Sequence, residues 1–150
     1  MMVHTLLAFA GTIAFALLFG VPRKYFIGCG LIGSAGWLLY EALMTLAGAT
    51  ATEATFLATV LVIILSRLSA VRARCPVTVF LISGIFPLVP GAGIYWTSYY
   101  LVTGQMAQAV SSGFVAVKAA VAIVLGIVFV FEIPNKVFRL TGRRKNRAAR

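Results

Sequence analysis

The sequence predicts an all-α, polytopic membrane protein of five transmembrane helices, the fourth broken at a Pro/Gly-rich centre. Three observations carry that prediction. Hydrophobic residues make up 61% of the 150-residue chain and charged residues 11%, with a mean hydropathy of +1.02, which excludes an ordinary soluble domain. The apolar residues fall into five runs, about 3–20, 25–48, 54–71, 77–103 and 112–133, each near the length that crosses hydrocarbon. Of the 13 Lys/Arg residues, 12 lie at the end of or after the first, third and fifth runs, and the other two loops hold none. With five crossings those three segments share a side, so the positive-inside rule sets the N-terminus outside and the C-terminus in the cytoplasm.

The first run has no basic segment before it and no small-residue cleavage site after it, so it reads as a span rather than a removed signal peptide. Arg23 and Lys24 end it. The second run holds Gly28, Gly30, Gly33, Ser34, Ala35 and Gly36, and small residues of this kind let membrane helices approach closely. Glu41 interrupts it near its outer end. The third run closes with Arg67, Arg72 and Arg74, read as topology determinants, and the fifth carries Lys118 inside it. The chain divides into a five-span domain, 1–135, and a basic cytoplasmic tail, 136–150, whose charges suit anionic lipid.

The net charge of +10 does not point to nucleic acid, because no stacking platform accompanies it. Cys29 and Cys75 lack metal-ligand spacing and read as free thiols, and the single histidine, His4, reads as an interfacial residue. No Ser/His/Asp, Cys/His, metal or phosphate-loop arrangement is present. The reading is therefore no enzyme, no cofactor and no metal.

The fourth run carries the chemistry. Pro87 and Pro90 each remove a backbone donor, and Gly84, Gly91 and Gly93 free the chain around them. Proline also biases the residue before it toward extended backbone, which here means Phe86 and Val89. At 27 residues the run is long enough to cross with an unwound centre. A re-entrant hairpin would put the tail, with its seven basic residues, outside, so two half-helices in series are expected. Their facing ends suit a zwitterion: a carboxylate on the Gly91–Gly93 amides and an ammonium on the carbonyls before Pro87. Positions 91, 95 and 98 share a helical face, which makes Tyr95 and Ser98 candidate lining residues. The competing reading is a proline kink that serves packing alone. Glu41 and Lys118 each lie roughly 10 Å below the outer boundary and are expected to pair, as an interhelical clamp or as an outer gate with a proton-linked carboxylate. Lys118 snorkelling outward alone is the alternative.

The stretch Ser83-Gly84-Ile85-Phe86-Pro87-Leu88-Val89-Pro90-Gly91-Ala92-Gly93-Ile94-Tyr95 resembles the threonine/serine exporter family, small-subunit (YjjB-like) type. Similarity extends over most of the chain, including Leu31-Ile32-Gly33-Ser34-Ala35-Gly36-Trp37-Leu38-Leu39-Tyr40. Ser83 stands where members often carry proline, which implies a softer first bend. The resemblance implies a subunit of a two-component exporter in the bacterial inner membrane. Its cargo would be threonine- or serine-like amino acids or a dicarboxylate such as succinate, and its partner a larger membrane subunit. A homo-oligomer is a further possible assembly. The alternative function is a non-transporting membrane scaffold or assembly subunit.

Overall fold

Glycine or proline stands at or soon after the end of each apolar run, and helix fills the lengths between. The computed structural model describes residues 2–133, and among them there is no strand. Helix α1 covers Met2–Leu18 and gives way to Gly20, whose φ of 67° suits a residue without a Cβ. Pro22 leads into one 3-10 turn, Arg23–Tyr25, which feeds α2, Phe26–Leu46. Helix α3, Ala51–Ala73, starts at a capping box: Glu53 N–H donates to Thr50 Oγ1 (3.4 Å) and Thr50 N–H to Glu53 Oε2 (2.9 Å). That gives the acidic residue of the α2–α3 turn a structural task. Helix α4 is Thr78–Ile85, a 3-10 turn Phe86–Leu88 follows, and α5 (Gly91–Val102) leaves the break at 50°. Helix α6, Met106–Phe131, completes the described chain.

The helix from Arg23 to Leu46, α3 and α6 are long and apolar enough to cross a membrane, and the α4–α5 pair makes a fourth if taken as one span. Three or four of the five expected spans are thus supported by length and composition. Helix α1 falls short because its 17 residues give about 26 Å of helix against roughly 30 Å of hydrocarbon.

Small residues set how the helices meet. A Cβ at Gly33 would overlap Thr12 Oγ1 of α1, and one at Gly36 would overlap Val62 of α3, so α2 packs backbone-close on both neighbours. Farther along, a Cβ at Gly126 of α6 would lie 2.8 Å from Thr59 of α3. Gly93 of α5 and Ala116 of α6 make the corresponding contact at 3.0 Å. These contacts also fix direction. Gly33 on Thr12 and His4 on Glu41 run α1 antiparallel to α2, while Gly28 on Phe80 and Gly84 on Ile32 run α4 parallel to it. Thr97 on Gly113 and Gly93 on Ala116 set α5 antiparallel to α6. Contacts of Thr59 with Gly126 and of Arg67 with Val130 set α6 parallel to α3. Helix α5 therefore continues in the sense of α4, bent by 50°, instead of doubling back.

The main core gathers Ala16, Cys29, Ile32, Ala58, Val62, Phe80 and Leu88, all buried. Gly36 lies midway along α2 and Val62 midway along α3, and Leu88 Cδ1 is 3.8 Å from the Cβ position of Gly36. The break thus begins halfway along the two central helices. Arg67 was read as an ordinary boundary charge, but it is 7% exposed. Its guanidinium donates to the Val130 carbonyl and lies 5.5 Å from the Phe131 ring, so it caps the end of α6. Both cysteines are free thiols, Cys29 buried and Cys75 partly so. The basic tail from Lys136, its lipid contact and the boundary at 135/136 lie outside the described residues.

Candidate functional site

The break is built by two prolines that act differently. Pro87 sits at the start of the 3-10 turn, where a missing N–H costs little, and Val89 N–H closes that turn on the Phe86 carbonyl at 3.1 Å. Phe86 therefore keeps helical backbone (φ −56°, ψ −40°), contrary to the expectation that proline drives it extended. Val89 does become extended, with φ −62° and ψ 132°, and Pro90 follows at φ −75°, ψ 53°. Ser83 is buried inside α4, which continues through it to Ile85, and its hydroxyl donates to the Val79 carbonyl at 3.3 Å.

The two helix ends facing the break are not equivalent. On the carbonyl side, Phe86 accepts from Val89 and Ser83 accepts from Phe86, so much of the predicted cation-binding end is already used. On the amide side, Gly91 N–H folds back on the Val89 carbonyl at 2.7 Å, and Ile94 N–H reaches the Pro90 carbonyl at 3.1 Å. No hydrogen bond joins the Gly93 amide to the Val89 or Pro90 carbonyl, and Pro90 offers no side-chain cap. The first amides of a helix are its orphan donors, and the helix dipole there favours negative charge.

They border a cavity of about 220 Å³ between the break, α2, α3 and α6. Its walls are Pro87 to Gly93, Trp37 and Tyr40 of α2, Ala51 and Thr55 of α3, and Val115, Ala116 and Ala119 of α6. The Trp37 and Tyr40 rings stand 5.4 Å apart, and the buried Trp37 Nε1 has no hydrogen-bond partner. A Cβ added at Gly91 meets nothing within 4 Å, so the space before it is open. With the N-terminus of α5 along one wall, the arrangement suits an anionic group.

Of the residues predicted to form the site, Pro87, Pro90, Gly91 and Gly93 line this cavity. Gly84 lies beneath it, its Cβ position 3.0 Å from Ile32, which makes it a packing residue. Tyr95 and Ser98 are not brought in. Helix α5 packs on α6 through Gly93 and Thr97, which turns Tyr95 outward at 63% exposure. Ser98 is exposed too, and its hydroxyl donates to the Ile94 carbonyl at 3.0 Å. Sequence reasoning missed Trp37, Tyr40 and Thr55. The signal was available, because Trp37 and Tyr40 lie one helical turn apart beside the Gly33/Gly36 packing stripe.

The expected Glu41–Lys118 pair is also not formed. Glu41 Oε1 lies 3.0 Å from His4 Nδ1 of α1, so His4 is a helix-pairing residue and not a bland interfacial one. Lys118 Nζ sits 5.0 Å from the Phe114 ring and borders an apolar groove of about 510 Å³ between α3 and α6. The reason is geometric: α3 packs against both α2 and α6, and matched depth says nothing of the direction a side chain takes around its axis. That groove is larger than the break cavity, but it lacks convergent donors.

Among curated proteins and solved structures, none matches this chain. A family model described as threonine/serine exporter, ThrE, matches residues 4–133, which takes in α1 to α6 and the whole break. On that match this helical membrane protein belongs to the threonine/serine exporter family, whose members are transporters and not enzymes.

Proposed function

We propose that the chain is the small membrane subunit of a two-component exporter that carries small hydrophilic metabolites out of the cytoplasm. The cargo carboxylate rests on the amide end of α5. The observation that carries this reading is the amide end of α5, with Gly93 N–H unbonded to Val89 or Pro90, at a cavity beside the middle of α2 and α3. Exposed backbone donors at such depth are tolerated only where protein or a polar cavity meets them, and broken helices supply substrate sites in secondary transporters. Threonine, serine or a dicarboxylate such as succinate each brings the carboxylate that the site calls for.

The same reading makes α1 a fifth crossing and α4–α5 one broken crossing, with the N-terminus outside and the C-terminus cytoplasmic. Alternating helix directions and the one-sided distribution of Lys/Arg support it. A reporter fused after Arg150 should be active only in its cytoplasmic form. Periplasmic activity would reject this topology.

A larger membrane subunit completes the transporter in this reading. In support, α5 has no buried residue, and it exposes Tyr95, Trp96 and Tyr99, whose polar tips would lack partners in hydrocarbon. A scaffold without transport accounts for the small-residue seams but gives the amide end of α5 no task. The deciding experiment is efflux of labelled threonine, serine and succinate from cells with both subunits or either one. Efflux of at least one cargo should require both. Efflux by this chain alone in liposomes would refute the two-component reading, and none under any condition would favour the scaffold.

A further inference from the structure

The indole of Trp37 is a buried donor with no acceptor, in a ring that borders two cavities. One is the break cavity. The other, about 270 Å³, lies on the α1 side and is lined by His4, Leu7, Ala8, Trp37 and Pro87. Trp37 and Pro87 are the residues common to both. The second cavity reaches His4, whose side chain is 60% exposed and which holds Glu41.

A buried N–H without an acceptor is uncommon, because burial strips its water and returns nothing. The ring borders the break cavity while its nitrogen is closed off, so a turn of the ring is what would carry the N–H to an acceptor held there. Gly93 borders the same 220 Å³ cavity, and its amide makes no bond to the Val89 or Pro90 carbonyl. A carboxylate has two oxygens and about four lone-pair sites, enough for both donors. A side chain on α2 and a helix end on α5 then grip one group from two elements.

Resting on the exporter reading, we propose that Trp37 is a specificity-determining residue of the break site. Its indole N–H donates to the cargo carboxylate, and its ring divides that site from an exit cavity on the α1 side. Cargo held at the break leaves past the Trp37 edge, between α1 and α2, toward His4. The ring supplies shape and the N–H supplies the preference for a carboxylate. Replacing one without the other separates the two roles.

The test uses the full chain, purified into lipid nanodiscs with Trp96→Phe, so that Trp37 is the one remaining indole. Threonine, serine and succinate are titrated against its emission, with threoninamide as the control that lacks a carboxylate. At least one carboxylate should give a saturable change and threoninamide none. No change with any carboxylate, or an equal change with threoninamide, overturns the donor role.

In cells holding both subunits, Trp37→Phe keeps a ring and loses the N–H, and should weaken apparent cargo affinity about tenfold to a hundredfold, the scale of one hydrogen bond to a charged group. Unchanged affinity rejects the donor. Ala8→Phe fills the exit cavity, and should cut maximal efflux at least tenfold while leaving the emission titration intact. Wild-type efflux from Ala8→Phe rejects the exit route. If the unsubstituted pair exports nothing, the exporter reading fails, and the titration still decides whether Trp37 meets a carboxylate.

Discussion

Replacing Gly91 with leucine separates a binding site from a bend. A Cβ there meets no atom within 4 Å, so the fold has room for the side chain and the half-helix behind it need not shift. Gly91 lines the break cavity of about 220 Å³, beside the Gly93 amide. A hydrogen bond to a charged group is worth about 1.5–3 kcal/mol, so a leucine side chain that keeps a carboxylate off that donor removes about that much binding. At about 1.4 kcal/mol per decade, that is about a tenfold to hundredfold loss of cargo affinity. Gly91→Ala adds one methyl and should lose far less. The assay is labelled-metabolite efflux from cells with both subunits, beside membrane abundance and co-purification of the partner. Gly91→Leu should insert, assemble and fail to export. Near-normal efflux from Gly91→Leu would refute the reasoning, because cargo would then not occupy that space. Loss of assembly would refute it differently, by showing that Gly91 packs against a partner.

The remaining predictions concern the helices that hold the site in place. Cysteines at 4 and 41 should form a disulfide on mild oxidation, whereas cysteines at 41 and 118 should not, and the reverse pattern would restore the pairing expected from depth alone. Gly36→Leu should destabilise the α2–α3 crossing by about 1–3 kcal/mol or more, as overpacking does. That loss is read as a lower melting temperature in detergent, and an unchanged one would show that the two helices are not held backbone-close. Arg67→Leu should leave insertion intact and loosen the end of α6, read as faster hydrogen exchange near Val130.

Features that depend on one stretch of chain were legible in the sequence. Pro87, Pro90 and the neighbouring glycines predict a broken helix because they act on their own backbone, and Gly33 and Gly36 predict close packing because a missing Cβ acts on any neighbour. Features that depend on direction around a helix axis were not. Tyr95 and Ser98 share a face with Gly91, yet α6 takes the side of α5 that carries Gly93 and Thr97 and turns them away. Glu41 and Lys118 match in depth, but His4 reaches Glu41 from α1 while α3 packs between the other two helices. Phe86 stayed helical because a local turn, closed by Val89 N–H, outweighed the bias that proline imposes. Trp37 was visible as a residue but not as a wall, since three other elements complete the cavity around it.

The central claim is that the break carries the transport site, and restoring a continuous helix tests it most directly. Pro87→Ala with Pro90→Ala returns two backbone donors and removes the ring clashes, so α4 and α5 can join. The amides at the start of α5 would then bond to carbonyls a turn earlier and leave the cavity. Efflux of labelled threonine, serine and succinate should fall to the level of cells lacking the chain, with insertion and partner assembly unchanged. Efflux at the wild-type rate from a double variant whose helix is continuous would contradict the account, and the break would be a packing kink.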